Sequence, residues 1–258
     1  TMYVNWFATI GVLVIMTVTG ATKEFKRSQP YVKLATIGLI WPFAYSIAYF
    51  TSIDMGSGSM TTITNYFWPV FYLIVASVFS GKRFPKRSWI VVFMATLAVT
   101  IPTILQGNIR IVLLPITLGL TAALCQALFS LFSEGFKEND WLVTFVISVT
   151  TAIGATLYVI LYESFVWPDT QTLFYMAFIG VLSNGIGFWA FLKAGKVSAE
   201  ENHKTLFLVL MCLTPLAQVV LLPILGVESV SSEKWIGVVL ITGALMAYRL
   251  YPTKPAEA

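Results

Sequence analysis

Charged side chains are scarce in this sequence. Its 258 residues include 16 Lys and Arg and 12 Asp and Glu, so that 11% are charged, whereas a soluble globular domain carries about 25%. The hydrophobic share is 57% and the mean hydropathy is +0.81. A chain of this size cannot cover a water-exposed surface with so few charges, which excludes an ordinary soluble domain.

Cysteine and histidine are nearly absent as well, with two Cys and one His. Cys125 and Cys212 lie in the middle of apolar runs, which gives no support to a disulfide framework. A single His with no neighbouring Cys argues against a zinc site, and neither Gly-x-Ser-x-Gly nor His-Glu-x-x-His occurs. We therefore expect no metal, no cofactor and no enzymatic activity.

Long apolar runs are what the sequence has in quantity. Crossing the hydrocarbon core of a bilayer takes about 20 apolar residues as a helix, and the interior of each run carries no Asp, Glu, Lys, Arg or His. This pattern predicts an all-α, polytopic membrane protein with nine visible transmembrane helices. The nine runs are 3–21, 32–53, 58–80, 89–105, 111–133, 141–162, 171–192, 205–226 and 235–250.

The basic residues fall almost entirely on one side of these runs. Connections 22–33, 81–88, 134–140 and 193–204 and the C-terminus carry fourteen of the sixteen Lys and Arg. Since Lys and Arg are retained in the cytoplasm, we expect these segments and the C-terminus to be cytoplasmic. The net charge of +4 is explained by these short loops, so we expect the lipid bilayer, and not nucleic acid, as a partner.

The chain resembles itself at a distance of 146 residues. In this register Phe43-Ala44 matches Trp189-Ala190, Pro69 matches Pro215 and Trp89 matches Trp235. Helix 111–133 then lacks a counterpart, which would lie before residue 1. We therefore predict two inverted repeats of five helices in one membrane domain, 1–107 and 108–258, with the first helix absent from this sequence. Such inverted repeats are typical of secondary transporters.

Two halves of five helices, each with a Pro in its fourth helix, resemble the drug/metabolite transporter superfamily, in particular its EamA-type members. Within that group, Asn65-Tyr66-Phe67-Trp68-Pro69 is similar to the Asn-Tyr-X-Trp-Pro stretch of YddG-type aromatic amino acid exporters. The resemblance implies a multi-pass protein of the cell membrane, specifically the bacterial inner membrane. It also implies transport by alternating access.

A transporter of this plan binds its substrate near the middle of the bilayer, where the repeats face each other. Polar and aromatic residues recur every three or four positions on four helices, so each set shares one helix face. The alternative for each is a role in helix packing or in hydrogen bonding to a neighbouring backbone. The substrate-binding candidates are Trp41, Tyr45, Asn65, Trp68, Tyr72, Asn184, Phe188, Met211, Thr214 and Gln218.

Two further groups suggest moving parts. Pro69 and Pro215 interrupt equivalent helices, and each is a candidate gating hinge or a static kink. Glu200, Glu201 and His203 lie together at a predicted cytoplasmic helix end. They form either a proton relay or an acidic helix start favoured by the helix dipole.

The missing membrane charge selects among substrates. An intramembrane carboxylate or base marks ion coupling or a charged substrate, and the runs contain neither in their interiors. We expect export of small neutral or zwitterionic metabolites, specifically amino acids including aromatic ones. The alternatives are a carrier of nucleotide-sugars or sugar phosphates, which needs basic residues in its cavity, and a membrane subunit that does not transport. The sequence makes no prediction of oligomeric state.

Overall fold

A computed structural model of the chain describes residues 2–26, 29–56, 58–80, 109–133 and 135–200, with isolated positions and short stretches in 90–105 and 224–246. Within these residues all regular structure is helical. The α-helices are α1 (Met2–Val18), α2 (Tyr31–Gly38), α3 (Tyr45–Met55), α4 (Gly58–Asn65), α5 (Trp68–Ser80), α6 (Ile109–Ser133), α7 (Asp140–Tyr162), α8 (Thr170–Ile179) and α9 (Phe188–Glu200).

Three short helical segments complete the list. Ala21–Glu24 is a 3-10 turn. Leu39–Ala44 is a π-helical segment that joins α2 to α3, and Gly180–Gly187 is another that joins α8 to α9. We call residues 31–55 the first interrupted span and residues 170–200 the second interrupted span.

Within the described residues, five spans are long and apolar enough to cross a membrane: Tyr31–Met55, Met60–Phe79, Leu113–Ser133, Asp140–Tyr162 and Thr170–Val197. The apolar helix α1 is shorter, with 17 residues. The chain is therefore a multi-pass helical membrane protein. Six of the nine predicted runs correspond to these helices, and runs 89–105, 205–226 and 235–250 lie wholly or largely outside the described residues.

The second interrupted span is longer than the sequence predicts. The predicted run ends at residue 192, whereas α9 continues to Glu200. Lys193 and Lys196 therefore lie on a helix and not in a connection. Ala, Lys and Glu are good helix formers, so α9 continues after the apolar run has ended.

Two of the long helices begin with a side-chain cap. Asn139 Oδ1 accepts the backbone N–H of Trp141 at 2.9 Å before α7. Asp169 accepts both the backbone N–H and the hydroxyl of Thr172 at 2.9 Å before α8. These bonds lower the pKa of Asp169, so this cap contributes stability above the ordinary carboxyl pKa and loses it as the pH falls.

Pro42 explains the first interruption. A residue before proline is pushed out of the α region, and proline itself has no N–H for the helical ladder. Trp41 accordingly has φ −145° and ψ 130° in the middle of the span. In the second interrupted span the corresponding stretch, Gly180–Gly187, is rich in Gly, the weakest ordinary helix former.

The helix that contains Pro69 is interrupted just before this residue, where the sequence predicts a bend. α4 ends at Asn65 and α5 begins at Trp68. The N–H of Phe67 donates to Thr64 O at 3.1 Å, a tightened turn. Because Pro69 has no N–H, the carbonyl of Asn65 loses its usual helical donor.

The helices group into two compact units. The first comprises Thr1–Ser46 and Phe132–Val197, and the second comprises Ile47–Leu131 and Ser198–Ala258. In the first unit α1 packs along α7 and along the second interrupted span, while α7 also packs along the first interrupted span. Buried Val12, Met16 and Leu142 form an apolar cluster between α1 and α7.

Glycines allow the close helix contacts of the first unit. A Cβ on Gly180 would meet the carbonyl of Val4 and lie 2.8 Å from Phe7 Cβ, and a Cβ on Gly38 would lie 3.3 Å from the carbonyl of Ile147. Small residues at such contacts let membrane helices approach closely. The structure thus gives Gly180 the packing role that helix-helix contacts in membranes require.

The second unit is held partly by buried hydroxyl groups. Ser52 Oγ donates to the carbonyl of Pro115 at 2.7 Å and lies 2.8 Å from Thr61 Oγ1. A Cβ on Gly119 would meet the hydroxyl of Thr64. Small residues and interhelical hydrogen bonds therefore join α3, α4 and α6, as expected where water is excluded.

Candidate functional site

Three aromatic side chains of the first unit meet, two from the first interrupted span and one from the second. The ring centroid of Trp41 lies 5.0 Å from that of Phe188 and 5.9 Å from that of Tyr45. Both distances are in the range of favourable aromatic pairs. The structure thus brings together three residues that the sequence places on two different helices.

Two of the three aromatic residues, Trp41 and Phe188, lie at the interruptions of their helices. Trp41 is the non-helical residue of the first interrupted span, and Phe188 follows the π-helical segment of the second. Phe188 is 8% exposed and therefore buried. Breaks in transmembrane helices and single π turns both concentrate at functional sites.

Two side-chain amides are hydrogen-bonded between α1 and the second interrupted span. The Asn184 side-chain amide donates to Asn5 Oδ1 at 3.4 Å. Asn184 lies in the π-helical segment, four residues before Phe188, and Asn5 is a buried residue of α1. An amide in hydrocarbon needs a partner, because an unpaired one costs about 1–3 kcal/mol. The pair therefore supplies polar atoms that are stable inside a membrane.

Asn5 was not among the candidates predicted from the sequence, although a signal for it was present. It is one of the few strongly polar residues in the run 3–21. A buried Asn in a transmembrane run is a functional candidate by default. The sequence does not reveal that its partner is Asn184, which is 179 residues away.

Threonine hydroxyls line the neighbouring helix α7. Thr151 Oγ1 donates to the carbonyl of Ile147 at 2.8 Å and lies 3.2 Å from the carbonyl of Gly38. Gly38 directly precedes the π-helical segment that contains Trp41. Thr151 therefore helps to hold the first interrupted span against α7.

A second set of candidates lies in the second unit. Asn65, at 8% exposed, Trp68 and Pro69 are buried around the interruption between α4 and α5, and Tyr72 is half-buried one turn further along. All four residues belong to the second unit. Their roles in binding and gating stay predictions.

The remaining candidates belong to the end of α9 and to the residues that follow it. Glu200 is the last residue of α9. Its side chain lies outside the described residues, as do Glu201, His203, Met211, Thr214, Pro215 and Gln218. In the part of the chain that the structure does describe, no group of three or more His, Cys, Asp or Glu is placed to hold a metal ion.

Comparisons with known proteins agree with this architecture. Residues 1–103 match the EamA-like transporter family. A protein of known crystal structure is similar over 96% of this chain and 85% of its own, with a TM-score of 0.70 and 17% identity. At that identity the likeness establishes the fold alone. No curated protein sequence gives a significant match to this chain.

Proposed function

We propose that this chain is an EamA-type secondary transporter that moves small neutral or zwitterionic metabolites by alternating access. Its substrates are amino acids, aromatic ones included. The observation that carries the proposal is the contact of Trp41 with Phe188 between two interrupted spans. The Asn5–Asn184 amide pair adds polar atoms four residues before Phe188 along the second span. Rings and amides bind an apolar or aromatic side chain and neutral polar groups without a fixed membrane charge.

The proposal includes an inverted repeat, which the packing of the first unit supports. α1 packs against the second interrupted span, and α7, its proposed repeat partner, packs against the first. Gly11 and Gly154 occupy equivalent positions of two helices that the repeat relates, as do Gly38 and Gly180, and each of the four packs closely against a neighbouring helix. The members of the two pairs are 143 and 142 residues apart, against 146 in the sequence matches. The family match ends at residue 103, close to the proposed boundary at 107.

The proposed orientation follows from charge. The basic segments face the cytoplasm, together with the C-terminus, since Lys and Arg are retained there. The chain then functions in the bacterial inner membrane as an exporter. The site in the first unit lies between helices that come from both proposed halves, as alternating access requires.

The experiment that tests this function is transport by the purified chain in proteoliposomes. We expect labelled phenylalanine to cross down its own gradient at equal internal and external pH, because the interiors of the described spans carry no acid or base for proton coupling. Empty liposomes give the background rate. If phenylalanine crosses no faster than this background, the proposed function is contradicted.

A pH gradient is the second arm of this experiment. Concentrative uptake driven by a pH gradient alone, retained in Glu200→Gln, Glu201→Gln and His203→Ala variants, would overturn the uncoupled mechanism. It would leave the substrate assignment intact. The proposed relay Glu200, Glu201 and His203 predicts instead that such uptake, if it occurs, is lost in these variants.

The group in the second unit has its own test. If Asn65 and Trp68 bind substrate, Asn65→Ala and Trp68→Ala should lower transport about tenfold, as expected for losing about 1.4 kcal/mol of binding, at a similar folded yield. Val78→Ala on the same helix is the matched control, since Val78 is 75% exposed. A fall in folded yield that parallels the fall in transport would show that the two residues only pack.

A further inference from the structure

A cleft of about 450 Å³ lies in the first unit. None of its lining residues belongs to the group of Trp41, Tyr45 and Phe188, which we call the aromatic site. Its volume is within the range of about 300–1,000 Å³ typical of small-molecule sites. Its walls come from the 3-10 turn, from the turn before α7 and from α9. The lining residues are Glu24, Lys137, Glu138, Asn139, Asp140, Trp141, Trp189 and Lys193.

Two tryptophans form an aromatic surface in this cleft. The rings of Trp141 and Trp189 are stacked, with centroids 4.6 Å apart and planes 9° from parallel. The ammonium of Lys193 lies 5.1 Å from the centroid of the Trp189 ring. An amino group at this distance is attracted by the ring face, so the position of Lys193 is defined.

An ion pair fixes the acidic wall. Lys196 Nζ lies 2.5 Å from Asp140 Oδ1 and donates to the carbonyl of Glu138 at 2.9 Å. It thereby joins α9 to the start of α7. The positive charge of Lys196 compensates the negative charge of Asp140, and the turn that carries Glu138 is held in place.

The other charges of the cleft have no such partner. Among the residues that the structure describes, Glu24, Lys137, Glu138 and Lys193 form no ion pair. One carboxylate oxygen of Glu138 is out of contact with solvent and accepts no hydrogen bond. A buried carboxylate oxygen without a donor is unfavourable, and an arriving ammonium group would satisfy it.

We propose that this cleft is a second binding site, which takes an amino acid zwitterion with an aromatic side chain. Glu138, with Glu24, binds the ammonium group, Lys193 binds the carboxylate, and the ring stacks on the face of Trp141 that points away from Trp189. Two acids and two bases fit a ligand that carries both charges better than a simple anion or cation. This inference rests on the proposed transport function.

The position of the cleft agrees with a loading site for export. Glu24, Lys137 and Lys193 all belong to segments whose basic residues place them in the cytoplasm. A ligand held there is outside the apolar part of the spans. The cleft would therefore collect substrate from the cytoplasm before it reaches the aromatic site.

Equilibrium dialysis of the purified full chain with labelled phenylalanine tests this site. We expect two molecules bound per chain, and one after the double substitution Glu138→Gln and Lys193→Gln. Loss of two charge-assisted contacts should weaken the second site about tenfold or more. The matched control is the double substitution Lys23→Gln and Glu163→Gln, which changes the same charges outside the cleft and should keep two.

Competitors of one charge test the ligand class in the same assay. Phenylethylamine has only the ammonium group and phenylpropionate only the carboxylate, so each should compete at this site about tenfold more weakly than phenylalanine or worse. If the parent protein binds only one phenylalanine per chain, or if the Glu138 and Lys193 variant still binds two, the second site is overturned. In either case the proposed function stands as long as the protein transports phenylalanine. If the protein neither binds nor transports phenylalanine, both the second site and the proposed function are overturned.

Discussion

Phe188→Leu is expected to reduce the preference for aromatic over aliphatic amino acids about tenfold. Leucine keeps an apolar side chain at this buried position but removes the ring that lies 5.0 Å from Trp41. An aromatic pair contributes about 0.5–1.5 kcal/mol beyond burial, and 1.4 kcal/mol is a factor of ten. The measurement is competition between labelled phenylalanine and unlabelled leucine in proteoliposomes.

The ratio of the two substrates separates binding from packing. A purely structural defect would lower the transport of both amino acids together and leave their ratio unchanged. Phe174→Leu is the matched control, because Phe174 lies on the same interrupted span and is 67% exposed. An unchanged ratio in a well-folded Phe188→Leu protein would show that the ring does not contact substrate.

Gly180→Ala is expected to lower the thermal stability of the protein strongly. The added Cβ would meet the backbone carbonyl of Val4 and the side chain of Phe7. A carbonyl within a helix cannot move aside as the end of a flexible side chain can. Overpacking of this kind costs about 1–3 kcal/mol, occasionally more. The measurement is the midpoint of thermal unfolding in detergent, together with the yield of monodisperse protein.

Gly135→Ala provides the comparison for this variant. The nearest atom to a Cβ on Gly135 is the carbonyl oxygen of Phe132, at an ordinary 3.8 Å, so its midpoint should stay close to that of the parent. The proposed inverted repeat adds a second expectation. Gly38→Ala, in the equivalent helix, should be destabilised less than Gly180→Ala, because the nearest atoms, of Thr150 and Ile147, would lie 3.2–3.3 Å from the added Cβ. A Gly180→Ala protein as stable as the parent would contradict the close packing of α1 on the second interrupted span.

Much of the aromatic site was predictable from residue spacing. Trp41 and Tyr45 are four residues apart, as are Asn184 and Phe188, and this spacing places each pair on one helix face. In the structure the ring of Trp41 contacts those of Tyr45 and Phe188, while the substrate-binding role of the three residues stays a prediction. Helical periodicity is local, so it can be read without knowing the fold.

The missed features depend on contacts between distant segments. Asn5 becomes a site candidate through Asn184, and the cleft depends on the stacking of Trp141 on Trp189. Because the apolar run ends at residue 192, the sequence predicts that Lys193 lies in a connection. Helix propensity and the ion pair of Lys196 with Asp140 carry α9 further.

By itself the sequence determined that the chain is helical and crosses a membrane several times, because hydrocarbon excludes charge and satisfies no backbone hydrogen bond. It also indicated where the helix with Pro69 is interrupted, since proline acts on its own helix. Only the tertiary structure decided which spans meet. Gly180 packs against Val4 and Phe7 of α1, and Asn184 meets Asn5, 179 residues away. These contacts arise through packing, and a one-dimensional pattern does not contain that information.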